Sequence, residues 1–270
     1  MSKPPIPFEP RNDSFHHALA NTSKLVIKRL LHFPELSSTN AYLKEKGAIG
    51  EREGLVVLAD KQTSGRGRFE RSWHSPPGGL YFSILLRPMT ISAAEAPLIT
   101  LTAGVAVAKV LKTALGVQAK LKWPNDVLVE NRKVCGILSE STLIGEGIEY
   151  VVLGVGINAN TPLKEMPSDL QISATTLQHI LNRPVDLPRL FGYLLGQLEF
   201  WYLRLRDQGF AAISREYRRL CTQLRQSITV TIGNERHTGI AKDIGPDGSL
   251  ILQTDSGQIQ IRSADLLSLT

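Results

Sequence analysis

Residues 60–87 hold the densest group of side chains suited to binding an anion. Arg66, Gly67 and Arg68 follow one another there, and the segment then enters an apolar run at 80–86 that predicts a buried strand. A guanidinium group binds phosphate through two parallel hydrogen bonds, and glycine lets the backbone approach a ligand closely. The pattern indicates a phosphate-binding loop between two strands. A solvated surface loop and an arginine–glycine segment that binds RNA are the alternatives.

Two further stretches carry polar residues that could face the same ligand. Ser38, Thr39 and Asn40 precede a short helical stretch at 41–46. These residues could cap the helix or hydrogen-bond the polar end of a ligand. Lys133 begins an apolar strand, where it is either a charged strand edge or an ammonium group directed into a cleft.

These candidates need a framework of strands and helices that brings them together. Apolar runs predict strands at 25–33, 55–60, 80–87, 127–130, 133–139 and 150–160. Asn131 and Arg132 are predicted as the two-residue turn of a hairpin. Helical spacing predicts a long helix at 92–115 that Gly116 ends, and two amphipathic helices within 187–220. The strand at 150–160 breaks at Gly154 and Gly156, which are too few glycines for a dinucleotide-binding fingerprint.

The two ends of the chain differ from this central part. Four prolines in the first ten residues predict a flexible leader, here taken as 1–24. Near the other end, short strands at 228–232, 238–243, 250–254 and 259–262 alternate with glycine-containing turns. That spacing predicts a small antiparallel barrel, with a domain boundary within 222–227.

Composition limits the classes of protein that fit. The 270 residues are 42% hydrophobic and 21% charged, which is ordinary for a globular protein. A net charge of +6 suits a polyanionic ligand, either a nucleotide or a nucleic acid. Two cysteines without metal-ligand spacing predict a reduced cytoplasmic protein without zinc. We see neither a signal peptide nor a run of apolar residues long enough to predict a membrane helix.

The chain resembles the biotin protein ligases over about residues 30–220. Six motifs in the family's order carry this resemblance. They are Ser38-Thr39-Asn40, Gln62 to Arg68 followed by Trp73, SPPGGL at 75–80, KWPND at 122–126, Arg132-Lys133 with GIL at 136–138, and GVGIN at 154–158.

The resemblance implies an α+β fold. Helices would pack on a mixed β-sheet in a class II synthetase-like biotin/lipoate ligase catalytic domain at 25–222, followed by a small SH3-like β-barrel at 223–270. It also implies that biotin and ATP give biotinyl-5′-AMP, with Mg²⁺ on the phosphates and no dedicated metal site in the protein. Biotin would then pass to a lysine of the carboxyl carrier domain of a biotin-dependent carboxylase such as acetyl-CoA carboxylase.

The resemblance also implies roles for individual residues. Lys133, Arg66 and Arg68 would be catalytic. Biotin would be bound by Ser38, Thr39, Asn40, Gln62, Arg66, Gly67, Arg68 and Lys133. The nucleotide would be contacted by Arg66, Arg68, Trp73, Asn125, Asp126 and Asn158, with Asp126 orienting an arginine of the loop.

Two departures from the family pattern lead to further expectations. Glu70 precedes Arg71 where the family commonly has glycine, so we expect loop closure to differ. Bifunctional members carry an N-terminal helix-turn-helix domain, and the short proline-rich leader predicts a ligase that does not bind DNA. We expect either a monomer or a homodimer.

Three alternative functions remain open at this point. One is a binding module without catalytic activity, against which Lys133 and Arg66 argue. A lipoate or octanoate ligase shares the catalytic fold, but its substrate needs a long apolar channel rather than a polar clamp. A basic nucleic-acid-binding protein would use the arginine loop and the small barrel. Residues 228–262 contain no aromatic side chain to stack on bases.

Overall fold

The computed structural model describes residues 14–22, 25–69, 71–145, 147–232, 235–262 and 265–269. Its larger sheet has seven strands in the order β1-β2-β3-β7-β6-β5-β4. The strands are β1 (Arg29–Phe33), β2 (Leu55–Ala59), β3 (Leu80–Leu86), β4 (Lys120–Lys122), β5 (Asp126–Val129), β6 (Arg132–Ile144) and β7 (Gly147–Ile157). β1 and β2 run parallel, whereas the other neighbours are antiparallel. The arginine–glycine loop joins β2 to β3 and therefore leaves and re-enters the sheet at one end.

Seven α-helices accompany this sheet in the described ranges. They are α1 (Ser14–Ala20), α2 (Thr39–Ala48), α3 (Pro97–Leu115), α4 (Ser168–Ser173), α5 (Leu177–Leu181), α6 (Leu187–Gln208) and α7 (Ala211–Leu220). As predicted, α3 ends at Gly116, whose φ of 72° is a left-handed conformation. By length and composition, Ala93–Leu115 could cross a membrane, with a mean hydropathy of 1.6. Most of this stretch, 67%, is nevertheless buried inside the fold, where α3 packs against α6.

Alternate residues of the sheet face two different cores. On β2, Val56 and Leu58 belong to the larger core, which also contains the buried residues of α3 and α6. Leu55 and Val57 face the smaller core, together with Leu43 of α2. This is why β2 is apolar throughout, because both faces of the strand are buried.

The C-terminal segment forms a second, antiparallel sheet of five strands in the order β11-β10-β9-β8-β12. Its strands are β8 (Ser227–Ile232), β9 (Glu235–Ile244), β10 (Leu250–Thr254), β11 (Gly257–Ile261) and β12 (Asp265–Leu269). No pairing in the described part of the chain joins β11 to β12. The sheet is therefore open, which is compatible with the predicted SH3-like fold but differs from a closed barrel.

Buried hydrogen bonds attach the C-terminal segment to the larger sheet at Trp123. Gln223 accepts from the Trp123 backbone N–H at 3.0 Å and donates to its carbonyl at 3.3 Å. The indole N–H of Trp123 donates to the Gly248 carbonyl at 3.0 Å. Trp123 is only 1% exposed, and the C-terminal segment fixes the backbone within the KWPND motif through these bonds.

The predicted leader contains a packed helix. Phe15 of α1 makes edge contacts with His32 and Phe191, with ring centroids 5.0 and 5.5 Å apart, and Leu19 is buried. Phe15, Ala18 and Leu19 recur at helical spacing, a pattern too short to be recognised in the sequence alone. Residues 1–13 and 23–24, the rest of the predicted leader, lie outside the described residues.

Other differences concern element boundaries. The turn of the β5–β6 hairpin is Glu130-Asn131, with φ values of 51° and 60°, rather than Asn131-Arg132. β1 begins at Arg29, four residues later than predicted. β4, α4, α5 and β12 were not predicted, because each is short and lacks an apolar period of its own.

Candidate active site

One cavity of about 490 Å³ brings the candidate residues together. The predicted site residues that line it come from four separate stretches of sequence. The predicted site residues on its wall are Ser38, Thr39, Asn40, Gln62, Arg66, Gly67, Arg68, Trp73, Asn125, Asp126, Lys133 and Asn158. No single motif predicts that these residues meet, because the segments that carry them become neighbours only through the order of strands in the sheet.

A polar cluster forms part of the pocket wall at the start of α2. Ser38 caps the helix, because its side chain accepts from the Ala41 N–H at 3.3 Å. The same residue lines the pocket. Gln62 Oε1 accepts from the Thr39 backbone N–H at 2.8 Å and lies 3.2 Å from Thr39 Oγ1. Asn40 donates through Nδ2 to Glu140 at 2.8 Å. The cluster offers both donors and acceptors in a nearly buried setting.

Glycines of β6 and β7 make room for two of the pocket side chains. A Cβ atom at Gly154 would lie 2.1 Å from Asn40 Oδ1, and one at Gly156 would lie 2.5 Å from Trp73 Nε1. Gly136 pairs with Gly156 on the neighbouring strand, and a Cβ atom at Gly136 would lie 2.8 Å from the Trp73 ring. The Trp73 indole therefore lies flat on a strip of bare backbone. Its N–H is buried without an acceptor among the described residues.

Lys133 and Asp126 form an ion pair inside the pocket. Lys133 Nζ lies 2.6 Å from Asp126 Oδ1, and the side chains are 30% and 21% exposed. The contact is electrostatic rather than an aligned hydrogen bond, because Oδ1 is buried and finds no donor in hydrogen-bonding geometry within the described chain. The ammonium group also lies 5.1 Å from the centroid of the Trp73 ring. We had expected Asp126 to orient an arginine of the loop, whereas the contact observed is with Lys133.

The arginine–glycine loop folds back on itself beside the pocket. The Gly67 N–H donates to the Arg71 carbonyl at 2.7 Å, and the Arg71 N–H donates to the Arg68 carbonyl at 3.2 Å. The tip is Phe69, which is 53% exposed with a φ of 54° and has the Arg68 guanidinium 4.7 Å from its ring. Glu70, to which we attributed altered loop closure, lies outside the described residues.

Two asparagines are fixed by the backbone around Lys133. Asn125 donates to the Ile137 carbonyl at 2.9 Å, and Asn158 donates to the Lys133 carbonyl at 3.4 Å. The Asn158 backbone N–H also donates to the Val134 carbonyl at 2.8 Å. Both side chains therefore use their amide nitrogens on the protein, and both residues line the pocket.

Cys135 lies beneath this region without taking part in it. Burial raises the pKa of its thiol, against a smaller opposite effect of the nearby Lys133 ammonium. A buried thiol of raised pKa is a poor nucleophile. Across the described ranges, no group of three His, Cys, Asp or Glu side chains is placed to hold a metal ion.

Two residues behind the pocket were missed in the sequence. Ser83 of β3 is fully buried and lies 2.6 Å from Asn40 Oδ1, and Glu140 of β6 holds the amide nitrogen of the same asparagine. Strand alternation places Glu140 on the same face as Gly136 and Leu138. This alternation was the only feature of the sequence that pointed to Glu140. The contacts of Asn40 with Ser83 and with Glu140 join residues 43 and 100 positions apart, so they depend on the order of strands in the sheet.

The comparisons with known proteins agree with this arrangement. Residues 32–158 match the Biotin/lipoate A/B protein ligase family, and residues 226–266 match the Biotin protein ligase C terminal domain. The chain is 34% identical to the bifunctional ligase/repressor BirA of Bacillus subtilis, over 88% of this chain and 74% of that protein. It is 33% identical to the biotin--[acetyl-CoA-carboxylase] ligase of Paracoccus denitrificans, over 85% of this chain and 96% of the relative.

Solved structures give the same result. The biotin protein ligase from Aquifex aeolicus in complex with biotin and ATP superposes with a TM-score of 0.76 and 28% identity, over 89% of this chain and 98% of that one. A mixed sheet with an open C-terminal sheet, and a pocket that joins a polar cluster to a cationic loop, define a protein of the biotin and lipoate ligase class. Within that class, the chain belongs to the biotin protein ligase family. The resemblance seen in the sequence is confirmed.

Proposed function

We propose that the protein is an ATP-dependent biotin protein ligase, which forms biotinyl-5′-AMP and transfers biotin to a lysine of a biotin carboxyl carrier protein. The observation that carries the proposal is the convergence of all twelve site candidates on one pocket. The names of the relatives support it, since they include a biotin--[acetyl-CoA-carboxylase] ligase and a ligase bound to biotin and ATP.

The pocket has a polar end and a cationic end in the order that biotin requires. Asn40 lies against Gly154 and Trp73 lies against Gly156, two residues further along the same face of β7. Two residues of a strand span roughly 7 Å. Lys133 lies beyond Trp73, 5.1 Å from its ring. A ureido ring at the polar cluster would thus direct the carboxylate of biotin towards Lys133.

In the first step a carboxylate oxygen of biotin attacks the α-phosphorus of ATP, and pyrophosphate leaves. Both reactants are anions, so Lys133, Arg66 and Arg68 would offset their repulsion and stabilise charge in the transition state. One preorganised donor of this kind contributes about 10²–10³ in rate. In the second step the carrier's lysine amine attacks the acyl carbon of the adenylate, AMP leaves, and the amine loses a proton.

We assign the remaining candidates to the nucleotide. Asn125 and Asn158 would present their amide oxygens, and Trp73 would pack against the adenine ring. Asp126 would act through its ion pair, because it holds the Lys133 ammonium at 2.6 Å. The basic loop of Arg66, Gly67 and Arg68 would close over the adenylate and exclude water from it.

Magnesium is expected to enter with the nucleotide. Among the lining residues that the structure describes, Asp126 is the one carboxylate, and it is already paired with Lys133. Mg²⁺ commonly binds through substrate phosphates with few protein ligands. The residues present therefore fit an ion carried by ATP, which would shield the phosphate charges.

The alternatives fit the site less well. A lipoate or octanoate ligase needs an apolar wall, whereas Thr39, Asn40 and Gln62 offer hydroxyl and amide groups suited to a ureido ring. The nucleic-acid-binding alternative lacks aromatic side chains within residues 228–262 that could stack on bases. The two cysteines are both free, in keeping with a cytoplasmic enzyme. The absence of DNA binding and the oligomeric state stay predictions.

Pyrophosphate release tests the proposal. The purified protein is incubated with Mg²⁺ and ATP alone, and then with biotin, lipoate or octanoate. We expect release only with biotin. Release that depends on lipoate or octanoate would keep the mechanism and change the substrate, and no release with any of the three acids would refute the proposal.

A further inference from the structure

A row of paired residues crosses the larger sheet beneath the pocket. Gly156 of β7 pairs with Gly136 of β6. Gly136 pairs in turn with Asp126 of β5, which pairs with Lys122 of β4. Residues that pair across antiparallel strands direct their side chains to the same face of the sheet. That face is the floor of the pocket, because a Cβ atom at Gly156 or Gly136 would meet the Trp73 ring. Lys122 therefore stands on the pocket face, and it lines the cavity.

The row runs in the direction of the proposed reaction. The ureido ring of biotin is placed at Asn40, which lies against β7, and the carboxylate of biotin is placed at Lys133, beside Asp126. In an in-line displacement, the attacking and leaving oxygens lie on opposite sides of the phosphorus. Biotin reaches the α-phosphorus from the side of β7, so pyrophosphate departs towards β4. Neighbouring strands are roughly 4.8 Å apart, and Lys122 stands one strand beyond Asp126 in that direction.

No contact within the protein accounts for the charge of Lys122. Its ammonium group forms no ion pair with any residue in the described ranges, since Asp126, its neighbour across the strands, is paired with Lys133 at 2.6 Å. β4 is the last strand of the sheet, where a lysine can serve to block further strand pairing. This edge is already covered, because the Thr222 N–H donates to the Leu121 carbonyl at 2.9 Å. The Lys122 ammonium is therefore available to a ligand.

We propose that Lys122 binds the β- and γ-phosphates of ATP and holds the pyrophosphate as it leaves. The proposal rests on the proposed function and assigns a further catalytic residue to its first step. In that step a carboxylate oxygen of biotin forms a bond to the α-phosphorus, and the bond from this phosphorus to the oxygen shared with the β-phosphorus breaks. The electron pair of the broken bond leaves with pyrophosphate, and the Lys122 ammonium stabilises the negative charge that develops there.

The two half-reactions test the role of Lys122 separately. Pyrophosphate takes part in adenylate formation and its reversal, but not in the transfer of biotin from the adenylate to the carrier. Lys122→Met removes the ammonium group and keeps an unbranched side chain. In biotin-dependent exchange between pyrophosphate and ATP, the KM for pyrophosphate should rise about 10- to 100-fold, the usual effect of losing one hydrogen bond to a charged group. Transfer of biotin from preformed biotinyl-5′-AMP to a carrier domain should keep the wild-type rate.

Two further variants control for charge and for structure. Lys120→Met removes the same charge from the same strand, at an exposed residue that is not among the described residues lining the pocket. It should leave both half-reactions unchanged. Lys122→Arg keeps a cation at the site and should restore most of the affinity for pyrophosphate. A residue that only supported β4 would affect both half-reactions alike, and arginine would have no particular advantage over methionine.

The outcomes separate this inference from the proposed function. If the wild-type protein shows no biotin-dependent exchange, the proposed function fails and this inference fails with it. If the wild-type protein exchanges pyrophosphate, an unchanged KM for pyrophosphate in Lys122→Met would overturn the role of Lys122 alone. An equal loss in the two half-reactions would overturn it as well. If Lys122→Met does not fold, Lys122→Gln is measured in the same way, and the same two results would overturn the inference.

Discussion

Replacing Lys133 by methionine should separate its role in catalysis from its role in stability. Methionine keeps an unbranched side chain but removes the ammonium group that lies 2.6 Å from Asp126 Oδ1. Because Oδ1 is buried, its carboxylate is left without a partner, and we expect a loss of about 1–3 kcal/mol in the free energy of unfolding. The missing cation should also slow adenylation by about 10²–10³, which corresponds to about 2.7–4 kcal/mol.

Two measurements read these effects separately. Urea unfolding gives the free energy of unfolding, and biotin-dependent pyrophosphate release gives the rate of adenylation. The double substitution Lys133→Met with Asp126→Asn should recover much of the lost stability, because the buried charge is removed, but should not recover activity. Lys61→Met is the matched control. Its ion pair with Glu35 is also 2.6 Å long but the side chains are 44% and 52% exposed, so it should change stability by less than about 1 kcal/mol and leave activity unchanged.

Either of two results would refute this reasoning. Adenylation at the wild-type rate in Lys133→Met would show that the ammonium group does not act on the reacting carboxylate or phosphate. Recovery of activity in the double variant would show that the single substitution had damaged the fold rather than the chemistry.

Three further predictions follow from contacts elsewhere in the fold. Gly154→Ala should weaken biotin binding by about 100-fold in calorimetry, because its Cβ would displace Asn40 Oδ1 by more than 1 Å and disturb about three hydrogen bonds of about 1 kcal/mol each. The Cys135 thiol, whose pKa is raised by burial, should resist maleimide at pH 8 until the protein unfolds. Hydrogen bonds from Lys109 and then Arg219 lower the pKa of Glu216, so its stabilising effect is present above its unfolded pKa of about 4.5 and is lost as the pH falls through the lower folded value. Glu216→Gln should therefore reduce the free energy of unfolding at pH 7 and have little effect near pH 3.

Each of these predictions has a clear contrary result. Gly154→Ala with wild-type affinity would mean that Asn40 is not held against β7. Labelling of Cys135 in the folded protein would mean that the site opens more readily than its packing suggests. An equal effect of Glu216→Gln at both pH values would mean that its charge does not contribute to stability.

Much of the site could be predicted because its motifs carry chemistry in their residue types. Arg66, Arg68 and Lys133 were recognised by charge, and Ser38 and Gln62 by their place in an ordered set of motifs. The strands on either side of the arginine–glycine loop were recognised by continuous apolar runs, such as 80–86, which face a core on both sides. Residue type, motif order and apolar runs can all be read from short segments of the sequence, so these features could be predicted without the fold.

The missed features depend on contacts between distant parts of the chain. Ser83 and Glu140 meet Asn40 only because β3, β7 and β6 are neighbours, an order that no local pattern reveals. The α1 helix is short and depends on packing against Phe191. The hairpin turn was misplaced by one residue because we took Asn131 as its first position, whereas Glu130 adopts the positive φ there.

The most direct test of the central claim is the intact mass of a purified biotin carboxyl carrier domain after incubation with this protein, biotin, ATP and Mg²⁺. We predict that the carrier gains the mass of one biotin less one water, and that a carrier whose acceptor lysine is replaced by arginine gains nothing. A carrier of unchanged mass, with adenylate formed, would limit the activity to the first step. A carrier of unchanged mass without adenylate would contradict the account.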